Sequence, residues 1–298
     1  MKVAVTGASG LIGSALVPAL RARGHEVVRL VRRAPSAPDE VRWDPAAGTV
    51  ALAALQGIDG VVHLAGAGVG DKRWTEAYKK EIRDSRVQGT TTIAKAMASL
   101  DPKPRVLVCG SAIGYYGDTG DRAVTEETPQ GAGFLADVVA DWEASAQPAV
   151  DAGIRVAYAR TGIVVTSHGG AWKRLMPIFR LGLGGKVGSG KQYWSFISLR
   201  DEVAALIALL EDDRYRGPVN LTAPNPVTNA EVTSAMGRVL GRPTMLPVPS
   251  FAIKAALGEF SQDVLGSQRV LPAVLESDGF SWSDPTIDQA IAQAASGS

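Results

Sequence analysis

The sequence predicts a doubly wound, parallel α/β sheet with a smaller C-terminal lobe, and three observations carry that prediction. A short apolar strand, Val3-Ala4-Val5, runs into Thr6-Gly7-Ala8-Ser9-Gly10-Leu11-Ile12-Gly13, after which Leu11, Ile12, Ala15, Leu16, Ala19 and Leu20 recur at helical spacing. Strand-like apolar runs then alternate with helical patterns, as parallel strands joined by crossover helices require. Finally, 298 residues with 46% hydrophobic and 20% charged side chains suffice for one large α/β body and an appended lobe.

The first unit is the most specific. Gly7 permits a tight turn, Gly10 lets backbone approach a pyrophosphate and Gly13 lets the helix pack closely on the strand, which is the Rossmann dinucleotide arrangement. The helix start then offers unpaired N–H groups and the positive end of its dipole to phosphate. Gly7, Ser9, Gly10, Leu11, Ile12 and Gly13 are therefore expected to line a cofactor. Gly24 ends the helix and Glu26–Val31 forms the second strand. A site for NAD usually carries an acid at this strand's end to hold the ribose 2′-hydroxyl. Here Arg32 and Arg33 follow, with no carboxylate before Asp39, and two guanidiniums suit a 2′-phosphate. The expected cofactor is NADP(H).

Further along, Gly60–Leu64 reads as a third strand ending in Ala65-Gly66-Ala67-Gly68, and a long helix covers Glu76 to Ser99. A fourth strand at Arg105–Cys109, one helix from Phe134 to about Val150 and a fifth strand at Arg155–Ala159 follow. The Gly-rich run Leu181–Gly188 suits a loop over a ligand. A helix near Asp201–Leu210, a strand near Pro218–Leu221 and a helix near Asn229–Leu240 complete an NADP-binding Rossmann domain over 1–240, with substrate-side segments at about 165–200 and 220–240. Pro243, Pro247 and Pro249 introduce a small helical module over 241–298, whose tail, Ala294–Ser298, is expected to fray.

With net charge +1, composition gives no sign of a nucleic-acid or membrane-surface partner. The single Cys109 excludes an intramolecular disulfide, and three histidines argue against a dedicated metal site. There is no signal-peptide core or apolar run long enough to span a bilayer, so the expected location is cytoplasmic.

Several motifs resemble the extended short-chain dehydrogenase/reductases, the family of sugar-nucleotide epimerases and dehydratases. Thr6-Gly7-x-x-Gly10-x-x-Gly13 is similar to their cofactor turn and Leu64-Ala65-Gly66 to the strand end beside the adenosine. Val87-x-Gly89-Thr90 is similar to their Asn-Val-x-Gly-Thr helix, with Arg86 in the place of Asn. More narrowly, Lys72-Arg73-Trp74-Thr75, Gly110-Ser111-Ala112-Ile113-Gly114-Tyr115-Tyr116-Gly117 and Arg160-Thr161-Gly162-Ile163-Val164 resemble the atypical branch known as epimerase family proteins. A C-terminal module of unknown role completes that resemblance. It implies NADP bound by the glycine turn, Leu64, Ala65, Gly66 and Ile163, with Arg86 reaching phosphate or ribose and Glu81 bracing it. It also implies a small-molecule substrate and allows a homodimer through long helices.

The chain departs from the family where chemistry is concerned. Its tyrosines are followed four residues on by Ile82, Thr119, Gly120, Gly162, Ile197 and Val219, so the usual Tyr-x-x-x-Lys acid/base pair is absent. By spacing, its places fall near Gly133 and Asp137, and the usual Ser falls at Ala112, one step after Ser111. Tyr115, Tyr116 and Ser111 remain as catalytic candidates, with packing as the competing role for both phenols. Lys72-Arg73 suits either an anionic substrate or a plain loop, His63 reads as a core histidine, and Asp201 as a helix cap. Two readings follow: an NADP(H)-binding oxidoreductase or nucleotide-sugar epimerase-type enzyme, or a catalytically degenerate NADP(H)-binding sensor or scaffold.

Overall fold

The structure is a computed structural model that describes residues 1–297. Its strands are β1 (Lys2–Thr6), β2 (Glu26–Val31), β3 (Glu40–Asp44), β4 (Thr49–Val50), β5 (Gly60–His63), β6 (Val106–Ala112), β7 (Ala123–Val124), β8 (Arg155–Thr161), β9 (Ile163–Val165), β10 (Tyr193–Trp194), β11 (Phe196–Ser198), β12 (Gly217–Leu221), β13 (Val227–Thr228) and β14 (Arg269–Val270). Its helices are α1 (Leu11–Ala22), α2 (Glu76–Ser99), α3 (Phe134–Ala144), α4 (Gln147–Asp151), α5 (Gly170–Arg180), α6 (Leu199–Glu211), α7 (Asn229–Leu240), α8 (Ser250–Leu257), α9 (Ser261–Leu265), α10 (Ala273–Ser277) and α11 (Ile287–Ser296).

Eight strands form the main sheet in the order β12-β8-β6-β5-β1-β2-β3-β4, parallel throughout except for β4. Alternation in β1 explains why both faces are covered. Val3 and Val5 point toward α1 and α6, where Leu16, Leu20 and Leu206 wait, whereas Ala4 points toward α2 and α3, against Ile93 and Trp142. Register pairs Thr6 with His63 and Ser111 with Arg160, so the strand ends that carry chemistry line up along one edge. Ligands of such sheets bind outside the carboxyl ends of the strands.

A third cluster lies off the sheet. Trp172, Met176 and Phe179 of α5 pack with Phe196, Val232, Met236 and Ile291, joining α5, α7 and α11 around one apolar centre. Several elements differ from expectation, among them the 11-residue α5, which was not read at all. Two short helices replace the single one after Phe134; they break at Ser145 and Ala146, and Pro148 stands in the first turn of α4, where a missing N–H costs nothing. Strand β3 went unread because Glu40, Arg42 and Asp44 interrupt its buried Val41 and Trp43. The tail is helical through Ser296, since Ile291 and Ala294 are buried; Ser298 lies outside the described residues.

Candidate functional site

The glycine turn is built as its spacing demands. Gly7 has φ +67°, and a Cβ there would stand 2.9 Å from the Leu64 carbonyl carbon. A Cβ on Gly13 would stand 2.2 Å from the Gly7 oxygen, so only glycine lets α1 approach so closely. Gly10 is different: it is exposed, extended, and has only the Gly7 oxygen within reach, at 3.1 Å. As N-cap of α1 it offers no side-chain cap, so the leading N–H groups are open to an anion. Ser9 is exposed beside it, and Leu11 and Ile12 are half-buried. Leu11 also supports Gly169 of the C-terminal half, 2.7 Å from where its Cβ would be.

Thr6 ties this turn to the next strand. Its hydroxyl oxygen accepts from the backbone N–H groups of Leu64 (3.0 Å) and Ala65 (3.2 Å) and meets His63 Nδ1 at 2.8 Å. His63 is fully buried, and burial lowers its pKa to about 4, so it is a neutral core residue. Arg86 lies along the following loop, its Nη1 donating to Ala67 O (2.9 Å) and Ile82 O (3.0 Å) and its guanidinium over the Trp142 ring. No carboxylate pairs with it among the described residues, and burial pulls its pKa down to about 10. Glu81 does not brace it; that carboxylate is exposed and takes Lys72 at 3.1 Å.

At the end of β2 the two arginines separate. Arg33 donates to both oxygens of Glu40, at 2.7 and 2.5 Å, and Asp39 is held by Arg21 and Arg29. These guanidiniums keep Glu40 and Asp39 both down at about 2. Arg32 is exposed and has no side-chain partner among the described residues. Asp39 and Glu40 are thus already taken by other arginines, and Arg32 is left without a side-chain partner among the described residues.

The catalytic candidates meet in a buried polar chain. Ser111 Oγ donates to Glu143 Oε1 at 2.6 Å, and Arg160 grips the same carboxylate through Nε and Nη2, both at 2.8 Å. Arg160 Nη1 donates to the Tyr116 hydroxyl (3.0 Å), which donates to Asn220 Oδ1 (2.8 Å). Tyr116 is 2% exposed, and burial raises its pKa. Tyr115 is half-buried with its ring 3.6 Å from the Arg160 guanidinium, and its hydroxyl has no partner among the described residues. Ile163 is half-buried in β9.

The sequence reading missed Glu143, Arg160 and Asn220 as members of this chain. A signal existed: Arg160 closes the apolar run Val156–Ala159, and a buried charge in such a strand needs a partner. It also missed Glu202, fully buried, which accepts from Thr161 Oγ1 at 2.8 Å and is raised by burial to about 8. Asp201 is not the cap of α6. Ser198 is, while the Asp201 carboxylate accepts from the backbone N–H groups of Ser283 (2.8 Å) and Asp284 (2.9 Å).

Comparison with known proteins covers nearly the whole chain. The NAD dependent epimerase/dehydratase family matches residues 3–221, and a domain of unknown function matches residues 248–294. An epimerase family protein of Mycobacterium bovis is 47% identical over 98% of this chain and 97% of its own length. The human epimerase family protein SDR39U1 is 35% identical over 98% of each. The crystal structure of that human protein with NADPH superimposes with a TM-score of 0.92 at 33% identity, covering 99% of both chains. A nucleoside-diphosphate sugar epimerase from Corynebacterium glutamicum gives 0.82 at 37% identity, covering 99% of this chain and 58% of that one.

Proposed function

This chain belongs to the NAD dependent epimerase/dehydratase family, and we propose that it binds NADP(H) and works as an oxidoreductase or epimerase-type enzyme on a small polar substrate. One observation carries the cofactor half of this reading: α1 starts uncapped at an open Gly10 while Arg32 stays unpaired beside acids that are already taken. The human relative's NADPH agrees with it. When bound, such a cofactor would accept or return hydride; this chain's part is to hold its phosphates with the glycine turn and Arg32. Tyr115 is the group we assign to proton transfer, because its hydroxyl is uncommitted, whereas the Tyr116 phenol is fixed between Arg160 and Asn220. A cytoplasmic location fits this reading, and no helix among the described residues is long and apolar enough to cross a membrane.

The non-catalytic reading is favoured by the same buried chain. Ser111, Glu143, Arg160, Tyr116 and Asn220 satisfy one another, as a structural network would, and Tyr-x-x-x-Lys is absent. Turnover separates the two. Faster oxidation of NADPH in the presence of some member of a carbonyl or sugar-nucleotide library supports the enzyme, and tight binding without turnover across the library supports the sensor.

A further inference from the structure

The Gly-rich run after α5 is held against the C-terminal module. Leu246 N–H donates to Gly184 O, Val248 N–H to Lys186 O (2.9 Å) and Gly188 N–H to Val248 O (2.9 Å), so residues 182–188 lie flat beside 243–250. Helix α5 leads into the first stretch and α8 follows the second, with Gly182 beside Pro243 and Gly188 beside Ser250, so the four segments are neighbours. Apart from Leu52 and Val150, every exposed large hydrophobic residue among the described residues lies in these segments. Met245 is 82% exposed, and Leu181 and Phe251 are each 74% exposed. Helix α8, Ser-Phe-Ala-Ile-Lys-Ala-Ala-Leu, has no buried residue at all. Apolar side chains left in water in such a cluster mark a contact surface.

The charge of this surface is one-sided. Residues 169–191 contain Lys173, Arg174, Arg180, Lys186 and Lys191, residues 241–258 contain Arg242 and Lys254, and neither stretch has an Asp or Glu. Arg174 and Arg180 reach only the carbonyls of Gly70 and Ala295, both at 3.4 Å, and no carboxylate ion-pairs with these cations among the described residues. On α5, Arg174, Ile178 and Leu181 follow one another along the outer face, opposite the buried Trp172, Met176 and Phe179. Protruding apolar tips among unpaired cations match the boundary of an anionic bilayer, where tips enter the acyl edge and cations meet lipid phosphates. A second copy of the chain fits poorly, because a two-fold contact would set this positive surface against itself.

We propose that this face, formed by α5, the 181–188 run and the 243–254 segment, docks the protein peripherally on anionic lipid membranes. It stands apart from the cofactor reading, so each can fail alone.

The test is co-sedimentation of the full chain with phosphatidylglycerol/phosphatidylcholine vesicles and with phosphatidylcholine vesicles, at low and high salt. Binding is expected only with phosphatidylglycerol and should be released by salt. Each of K173Q and K254Q should lower partitioning about fivefold. Replacing Leu181, Met245 and Phe251 together by Ser should abolish it, while NADPH affinity and melting temperature stay as in the wild type. Absence of binding at low salt, or equal binding by the triple variant, overturns the proposal. So does polyglutamate binding that the triple variant retains (an acidic-polymer surface), or loss of self-association in sedimentation velocity without loss of vesicle binding (a self-contact).

Discussion

Arg160 and Glu143 form a two-pronged ion pair in which the arginine side chain is 4% exposed and the glutamate 13%, with both arms at 2.8 Å. The pair ties β8 to α3. Hydrogen bonds from Ser111 and to Tyr116 complete it. Removing one partner would leave the other charged and desolvated. Arg160→Met or Glu143→Leu should therefore lower unfolding free energy by about 3–5 kcal/mol, and the double variant should lose less than the two losses combined. Urea denaturation of the three variants measures this, and wild-type midpoints in the singles would contradict it.

The glycines of the first turn separate fold from cofactor. Gly10→Val should fold and melt close to the wild type yet lose NADPH binding, because its Cβ would press only on the Gly7 oxygen, at 3.1 Å, and its methyls would enter the space before α1. Gly13→Ala should fail at the earlier stage, since its Cβ would overlap the Gly7 oxygen at 2.2 Å. Fluorescence titration with NADPH, alongside thermal melts, distinguishes them. Retained affinity in the Gly10 variant would remove the pyrophosphate from this turn.

The first turn, the parallel class of the sheet and most of its long strands were legible because each depends on local patterns: glycine spacing, apolar alternation and helix periodicity. What was not legible depends on distant partners. Arg32 and Arg33 look equivalent in sequence, yet Glu40 lies on the neighbouring strand and captures only Arg33. Tyr115 and Tyr116 look equivalent too, but a short 3-10 turn sends one phenol inward to Asn220 and leaves the other unpaired. Net charge is silent about distribution in the same way, since a balance of 31 basic and 30 acidic residues conceals two stretches with no acid at all.

NADPH should bind roughly ten- to hundredfold more tightly than NADH, the value of one good charge-assisted contact. The unpaired Arg32 should carry most of this, so Arg32→Ala narrows the gap while Arg33→Ala changes it less. Calorimetry with both cofactors decides; equal affinities in the wild type would end the NADP(H) assignment.

Glu202 gives a pH signature in stability. Burial raises its carboxyl in the folded chain to about 8, against 4.5 for the ordinary group. The folded state therefore holds this proton where the unfolded state has released it, and stability falls as pH rises from about 4.5 to about 8. Glu202→Gln keeps an acceptor for the Thr161 hydroxyl and has no proton to lose. Its urea midpoints should fall less across that window than those of the wild type. Parallel curves would mean that Glu202 titrates normally.

The two tyrosines should respond oppositely to loss of their hydroxyls. In Tyr116→Phe, Arg160 Nη1 and Asn220 Oδ1 would lose a buried partner, at a cost of about 1–3 kcal/mol in stability. In Tyr115→Phe no hydrogen bond would be lost and the ring would keep its place on Arg160, so stability should hold. Turnover should follow the other residue. If Tyr115 moves the proton, its removal should slow the reaction by about 10²–10⁴-fold with NADPH affinity unchanged. Because no lysine stands four residues on, the rate should lack the usual gain at high pH from forming phenolate. The comparison needs a substrate from the library screen, a denaturation curve and a pH–rate profile for each variant. Full activity in Tyr115→Phe would make its ring a packing group and move the proton donor elsewhere in the cleft.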